Sequence, residues 1–266
     1  MAAKILFLIA SLFIITQAFD DLVFINNSPF QTLVKRVFWN KEFTTWVDCN
    51  ERLPVMFHYI AEEDVGDFPR SSTFKLDPAI DPNCQQKTSN SYASVFAGYD
   101  RGHMVAANHL DHSLEAIKES NYMTNITPQT SVLNQQAWLQ AEEIVECWRD
   151  NTTLNVFGGV IMSADTSKDY FLQSHGVRTP LLNWKVVVKE ADDDIIAWIM
   201  PNDNTATRKM LDSYLTSLKN IEEVTGFIFP QFTKLQKEKI QPVSWIVPKD
   251  CNLGRLHRLK RENFDF

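Results

Sequence analysis

Between Tyr99 and Glu142 the chain gathers side chains able to do acid–base and metal chemistry on a phosphate. Arg101 and His103 stand two apart, so on an extended strand they point to the same side. A guanidinium beside an imidazole suits an anionic substrate: the arginine holds phosphate oxygens and the histidine moves a proton. Gly102 between them permits close approach of a backbone or a substrate. Asn121 and Asn125 follow, then Asn134, Trp138 and Glu142 at intervals of four. On a helix each such step rotates by about 40°, which keeps the three along one edge. Helical side chains lean toward the N-terminus, so Glu142 is expected to reach back toward Asn134. An amide oxygen and a carboxylate together suit a hydrated hard cation, Mg²⁺ above all. A zinc site drawn from His103, His109, Asp111 and His112 is the competing reading. Their spacing matches no common zinc pattern. His109 and His112 are instead assigned to a loop and helix start, with Asp111 as the N-cap.

Positioning these groups requires a strand for 101–103 and a helix for 134–142. Ala137, Ala141, Ile144, Val145 and Trp148 mark the apolar face of that helix. A second helix has Leu218, Ile221 and Val224 on one face and stops at Gly226. Strands are predicted at 55–60, 154–161, 184–189 and 195–200, from runs rich in Val, Ile and Trp. His58 is a strand side chain in this reading. Residues 62–92 read as loop. Strands and helices mix without βαβ alternation, so the expected class is α+β. Neither GxGxxG nor GxxxxGK[ST] occurs, so no nucleotide-cofactor loop is evident.

The motifs resemble the DNA/RNA non-specific endonuclease family. They stand as DRGH at 100–103, TNITPQ at 124–129, and LNQQAW at 133–138 followed by Glu142. A weaker likeness continues through Pro180, Trp184-Lys185 and residues 221–226. The resemblance implies a ββα-metal fold with a mixed or antiparallel sheet, flanking helices, and DNA and RNA as substrates. It implies His103 as general base and Asn134 as the direct protein ligand of Mg²⁺, with Mn²⁺ able to substitute. Glu142 would orient a metal-bound water, Arg101 would stabilise phosphate charge, and Asn121 and Asn125 would support the site. The chain departs from the pattern after DRGH, where Met104-Val105-Ala106-Ala107 carries no proline. The upstream arginine is Arg70, two residues out of register with Phe74-Lys75-Leu76-Asp77. Arg70 therefore reads either as a phosphate contact or as a solvated loop charge. Alternative functions are a narrower phosphodiesterase acting on nucleotides and a catalytically inactive nucleic-acid-binding relative. The presence of every catalytic residue type argues against the latter.

The chain has 266 residues, 26 Lys plus Arg against 33 Asp plus Glu, and a net charge of −7. Its field as a whole does not attract nucleic acid, so any polyanion site is a local basic patch. Candidate contributors are Arg101, Arg178, Lys185 and the tail Arg255 to Arg261, which reads as a phosphate-tracking segment or a solvated terminus. Residues 1–18, with Lys4 and the apolar run Ile5 to Ile15, read as a secretory signal peptide. The expectation is then a secreted protein, free of the membrane after cleavage, with one domain over 19–266. The oligomeric state stays open. Four cysteines in an oxidising compartment suggest two disulfides. Of three connectivities, Cys49–Cys84 with Cys147–Cys251 is favoured, because the second staples the tail to a helix. Asn151-Thr152-Thr153 is a glycosylation sequon, and a second sequon includes Asn125.

Overall fold

The computed structural model describes residues 33–249 and Cys251. The expected signal peptide and the basic tail lie outside the described residues.

Among the described residues seven strands make one antiparallel sheet in the order β1-β2-β3-β6-β7-β8-β9. They are β1 (Leu33–Val37), β2 (Phe43–Asp48), β3 (Leu53–Ala61), β6 (Leu154–Ile161), β7 (Leu182–Lys189), β8 (Ile195–Pro201) and β9 (Leu215–Thr216). The strands read from the sequence stand within two residues of these limits. The pair β1–β2 was not anticipated, because LVKRV and FTTWVD are short and half polar. A separate hairpin, β4 (Tyr99–His103) with β5 (Ile126–Thr130), carries DRGH.

Among the described residues four α-helices accompany the strands. Helix α1 (Leu114–Glu119) begins at Ser113, whose side chain accepts from the Ala116 N–H. Asp111 is thus not the N-cap; it lies 4.0 Å from Arg149 instead. A π-helical turn over Leu133–Ala137 runs directly into α2 (Trp138–Arg149). Helix α3 (Leu218–Thr225) ends at Gly226, whose φ of 74° is the left-handed conformation expected of its terminator. A short α4 (Lys234–Glu238) follows.

Helix α2 lies along β3. Trp138 meets Phe57 edge-to-face at its start, with ring centres 6.5 Å apart. At its end Arg149 pairs with Asp64 at 3.1 Å, just past β3. Strand and helix therefore run in the same direction. Ala137, Ala141, Ile144 and Val145 are buried in the main core, as their spacing predicts. The cysteines pair as Cys49–Cys84 and Cys147–Cys251, the latter joining α2 to the segment after α4. Among the described residues no helix is long and apolar enough to cross a membrane.

Candidate active site

Hairpin β4–β5 and the helical segment beginning at Leu133 are tied together by the first residue of DRGH. Asp100 accepts hydrogen bonds from Ser131 Oγ at 2.8 Å, Asn134 Nδ2 at 2.9 Å and Gln135 Nε2 at 2.9 Å. A carboxylate only accepts, so it fixes which end of the Asn134 amide it meets. The Asn134 oxygen is thereby turned away from Asp100. At the other end of β4, the indole N–H of Trp138 donates to the His103 carbonyl at 3.2 Å. Side-chain amides satisfy the far edge of β5: Asn202 accepts from the Thr130 N–H and donates to Pro128, while Gln86 donates to Ile126.

Gly102 permits close packing, and the neighbour that approaches it is a side chain. A Cβ there would fall 2.1 Å from Oε1 of buried Gln129, whose side chain lies across the strand. Arg101 and His103 do share a face, and Phe74 shows it. The Arg101 guanidinium stacks 3.9 Å from the Phe74 ring centre, and the His103 ring lies 5.5 Å from it. Arg101 also donates to the Ser89 carbonyl at 2.8 Å. Phe74 opens the Phe74–Asp77 stretch of the sequence, but an aromatic ring carries no donor or charge that marks it as part of a site.

His103 is buried, with 6% of its surface exposed. Its Nε2 meets Asn121 Oδ1 at 2.8 Å. The Asn121 amide nitrogen donates to the carbonyls of Ser71 and Thr73, so its oxygen faces the imidazole. An oxygen there requires Nε2–H, which leaves the lone pair of the neutral ring on Nδ1. Arg70 donates to Nδ1 from 3.1 Å. Of the two readings of Arg70, the structure brings it into the site. Burial lowers the pKa of its guanidinium, and the nearby Glu142 carboxylate opposes that.

Asn125 sits behind the site and is fully buried. Its amide clamps the segment after DRGH, accepting from the Val105 N–H at 2.9 Å and donating to the Val105 carbonyl at 3.0 Å. Burial also removes it as a glycan acceptor, whereas Asn151 is exposed after α2. Glu142 is 5% exposed on α2, one helical turn beyond Trp138. The expected unbroken edge of Asn134, Trp138 and Glu142 is altered, because Asn134 lies in the π turn and only the other two are in α register. Such turns recur at functional sites because they displace one side chain from a helical row.

The competing zinc cluster does not assemble. His103 meets Asn121 and Arg70, His109 meets Tyr59 and Glu146, and His112 meets Glu42. Among the described residues no three His, Cys, Asp or Glu side chains group as a metal-ion site. What the site offers is an amide oxygen and a nearly buried carboxylate. That donor set fits a hard cation that keeps most of its water, as Mg²⁺ does. Two expected phosphate-facing cations are used elsewhere. Arg178 pairs with Asp169 and Glu51, and Lys185 is buried with its ammonium 3.9 Å from the Trp138 ring centre.

An antiparallel hairpin carrying a buried histidine, clasped to a helix bearing an amide and a carboxylate, defines a ββα-metal nuclease fold. The family model described as DNA/RNA non-specific endonuclease matches residues 25–236, and the chain belongs to that family. It is 25% identical over 212 residues to mitochondrial nuclease EXOG of Mus musculus, covering 72% of this chain and 55% of that protein. It is 27% identical over 144 residues to human mitochondrial endonuclease G, covering 50% and 48%. Nuclease C1 of Cunninghamella echinulata is 26% identical, covering 62% and 68%. The chain thus spans about half the length of the mitochondrial relatives. A chain in the crystal structure of the EndoG/EndoGI complex superposes with a TM-score of 0.59 at 24% identity, covering 76% of this chain and 88% of that one.

These relatives correct the expected location. EXOG and endonuclease G are mitochondrial nucleases, which points away from secretion. An apolar run behind one lysine reports local hydrophobicity, and that alone does not set a destination.

Proposed function

We propose that the protein is a metal-dependent endonuclease that hydrolyses phosphodiester bonds of both DNA and RNA, with His103 as general base. The observation that carries the reading is the fixed imidazole. Asn121 holds Nε2–H, so Nδ1 is the atom that takes a proton from water. Arg70 donates to that atom in the structure, and a bound phosphate draws the guanidinium onto its oxygens. Arg101, stacked on Phe74, presents a second positive charge on the same face. Asn125 keeps the segment after His103 in place.

The Asn134 oxygen would hold the metal, and Glu142 would orient its water. A bound divalent cation would supply Lewis-acid stabilisation of charge on the leaving oxygen. The groups brought together address phosphate rather than base edges, which supports action on both sugars. The test is incubation of the purified protein with plasmid, single-stranded DNA and RNA, with Mg²⁺ and then with EDTA. The expected result is internal cleavage of all three that stops with EDTA. Hydrolysis confined to mononucleotides, or full activity in EDTA, would overturn the reading.

A further inference from the structure

Helix α2 carries Glu142, Glu146 and Arg149 at i, i+4 and i+7, so the three share one face, and all are buried. The strand beside them, β3, turns Phe57 and Tyr59 to the same side. Phe57 meets Trp138. The next inward residue, Tyr59, lies about 6.6 Å further along the strand. Glu142 lies about 6 Å further along the helix. Because strand and helix run in the same direction, as the Arg149–Asp64 pair shows, Tyr59 comes opposite Glu142. The phenol's acidity agrees with this placement: burial raises its pKa well above the usual range, and the charge of Glu142 adds to the rise.

The hydroxyl of Tyr59 is fixed from behind. It lies 2.6 Å from Nδ1 of His109, and Nε2 of that ring lies 3.4 Å from Glu146. Asn108 and Arg149 each hold Glu146 at 3.0 Å. Arg149 in turn meets Asp64. A network of this kind, built from four separate segments, has no role in the reaction as derived above.

We propose that Tyr59, set by His109, is the positioning group for Glu142. The inference rests on the reading of Glu142 as the carboxylate that orients metal-bound water. In this arrangement Glu146 carries a proton toward Nε2 of His109, Nδ1–H of that ring donates to the phenol oxygen, and the phenol proton is left for the Glu142 carboxylate. The helix fixes where Glu142 starts, and the phenol fixes where its carboxylate ends.

The test is a double-substitution cycle on the whole chain. Affinity for Mg²⁺ or Mn²⁺ is measured by calorimetry without substrate, alongside kcat and KM on DNA. Tyr59→Phe keeps the ring and removes one oxygen. It is expected to weaken metal binding about tenfold and to lower kcat with little change in KM. Added to Glu142→Gln, it is expected to change neither value further. His109→Gln, which leaves Tyr59 in place without its fixed support, is expected to show the same non-additivity. Equal losses in the wild-type and Glu142→Gln backgrounds, or wild-type metal affinity in Tyr59→Phe, would overturn the proposal alone. A wild type that neither binds the metal nor cleaves would overturn the functional reading with it.

Discussion

Asn134 and Glu142 illustrate how differently two polar residues on one helical segment are prepared. The Asn134 amide is oriented by Asp100, so its oxygen has a set direction. Glu142 is nearly buried, and in the proposed reading its carboxylate orients a metal-bound water. A direct ligand supplies coordination energy, whereas an orienting group changes it less. Asn134→Ala is therefore expected to abolish metal binding at the site, and Glu142→Gln to weaken it by roughly 10- to 100-fold. Calorimetric titration with Mn²⁺ checks this; wild-type affinity in both variants would reverse the assignment. The shared face of Arg101 and His103 was legible from their spacing, because a strand alternates strictly. The place of Phe74 against both of them was not legible, since it reaches the site from a loop whose course depends on tertiary contacts. Arg70 was only half legible for the same reason.

Helix α2 carries a cost as well as a site. Burial pushes the Glu146 carboxyl up to about 7, against the opposing pull of Arg149. The folded state then holds a proton over a range in which the unfolded chain is ionised. Since the unfolded state binds fewer protons there, stability falls as pH rises from about 4.5 toward about 7. Glu146→Gln removes this dependence. Relative to that variant, the wild type is expected to lose stability on the order of 3 kcal/mol across the window. Urea unfolding at pH 5 and pH 8 measures it, and a wild type that gains relative to the variant would contradict the sign. The helix itself was readable from its apolar face. The π turn before it was not, because LNQQA gives no periodic signal distinguishing a five-residue hydrogen-bond step from a four-residue one. Strands β1 and β2 were missed because their sequences mix Lys, Arg and Thr with apolar residues. Strand β2 pairs with β3, and β1 adds to the outer edge of β2.

At the scale of the molecule, two disulfides tie distant parts of the chain. Cys147–Cys251 closes a loop across 104 residues, joining the site's helix to the C-terminal segment. Replacing both cysteines with serine is expected to lower stability by about 3–5 kcal/mol, read from urea midpoints; an unchanged midpoint would show the bridge to be dispensable. The favoured one of three possible pairings, with the C-terminal segment stapled to a helix, is the one formed, whereas the location of the protein did not follow from its apolar N-terminus. With a net charge of −7, the proposed attraction for phosphate rests on a few residues on one face. The reading of the whole molecule therefore turns on His103, which β4, Asn121 and Trp138 together hold. The most direct measurement compares DNA cleavage by wild type and His103→Ala from pH 5 to 9, with metal affinity recorded for both. The expected wild-type profile rises from acid pH to a neutral or mildly alkaline plateau, as the ring must be neutral to accept a proton. His103→Ala is expected to lose about 10²- to 10⁴-fold in rate while retaining its fold and its metal. A variant that turns over at the wild-type rate, or keeps the same acid limb, would show that another group is the base.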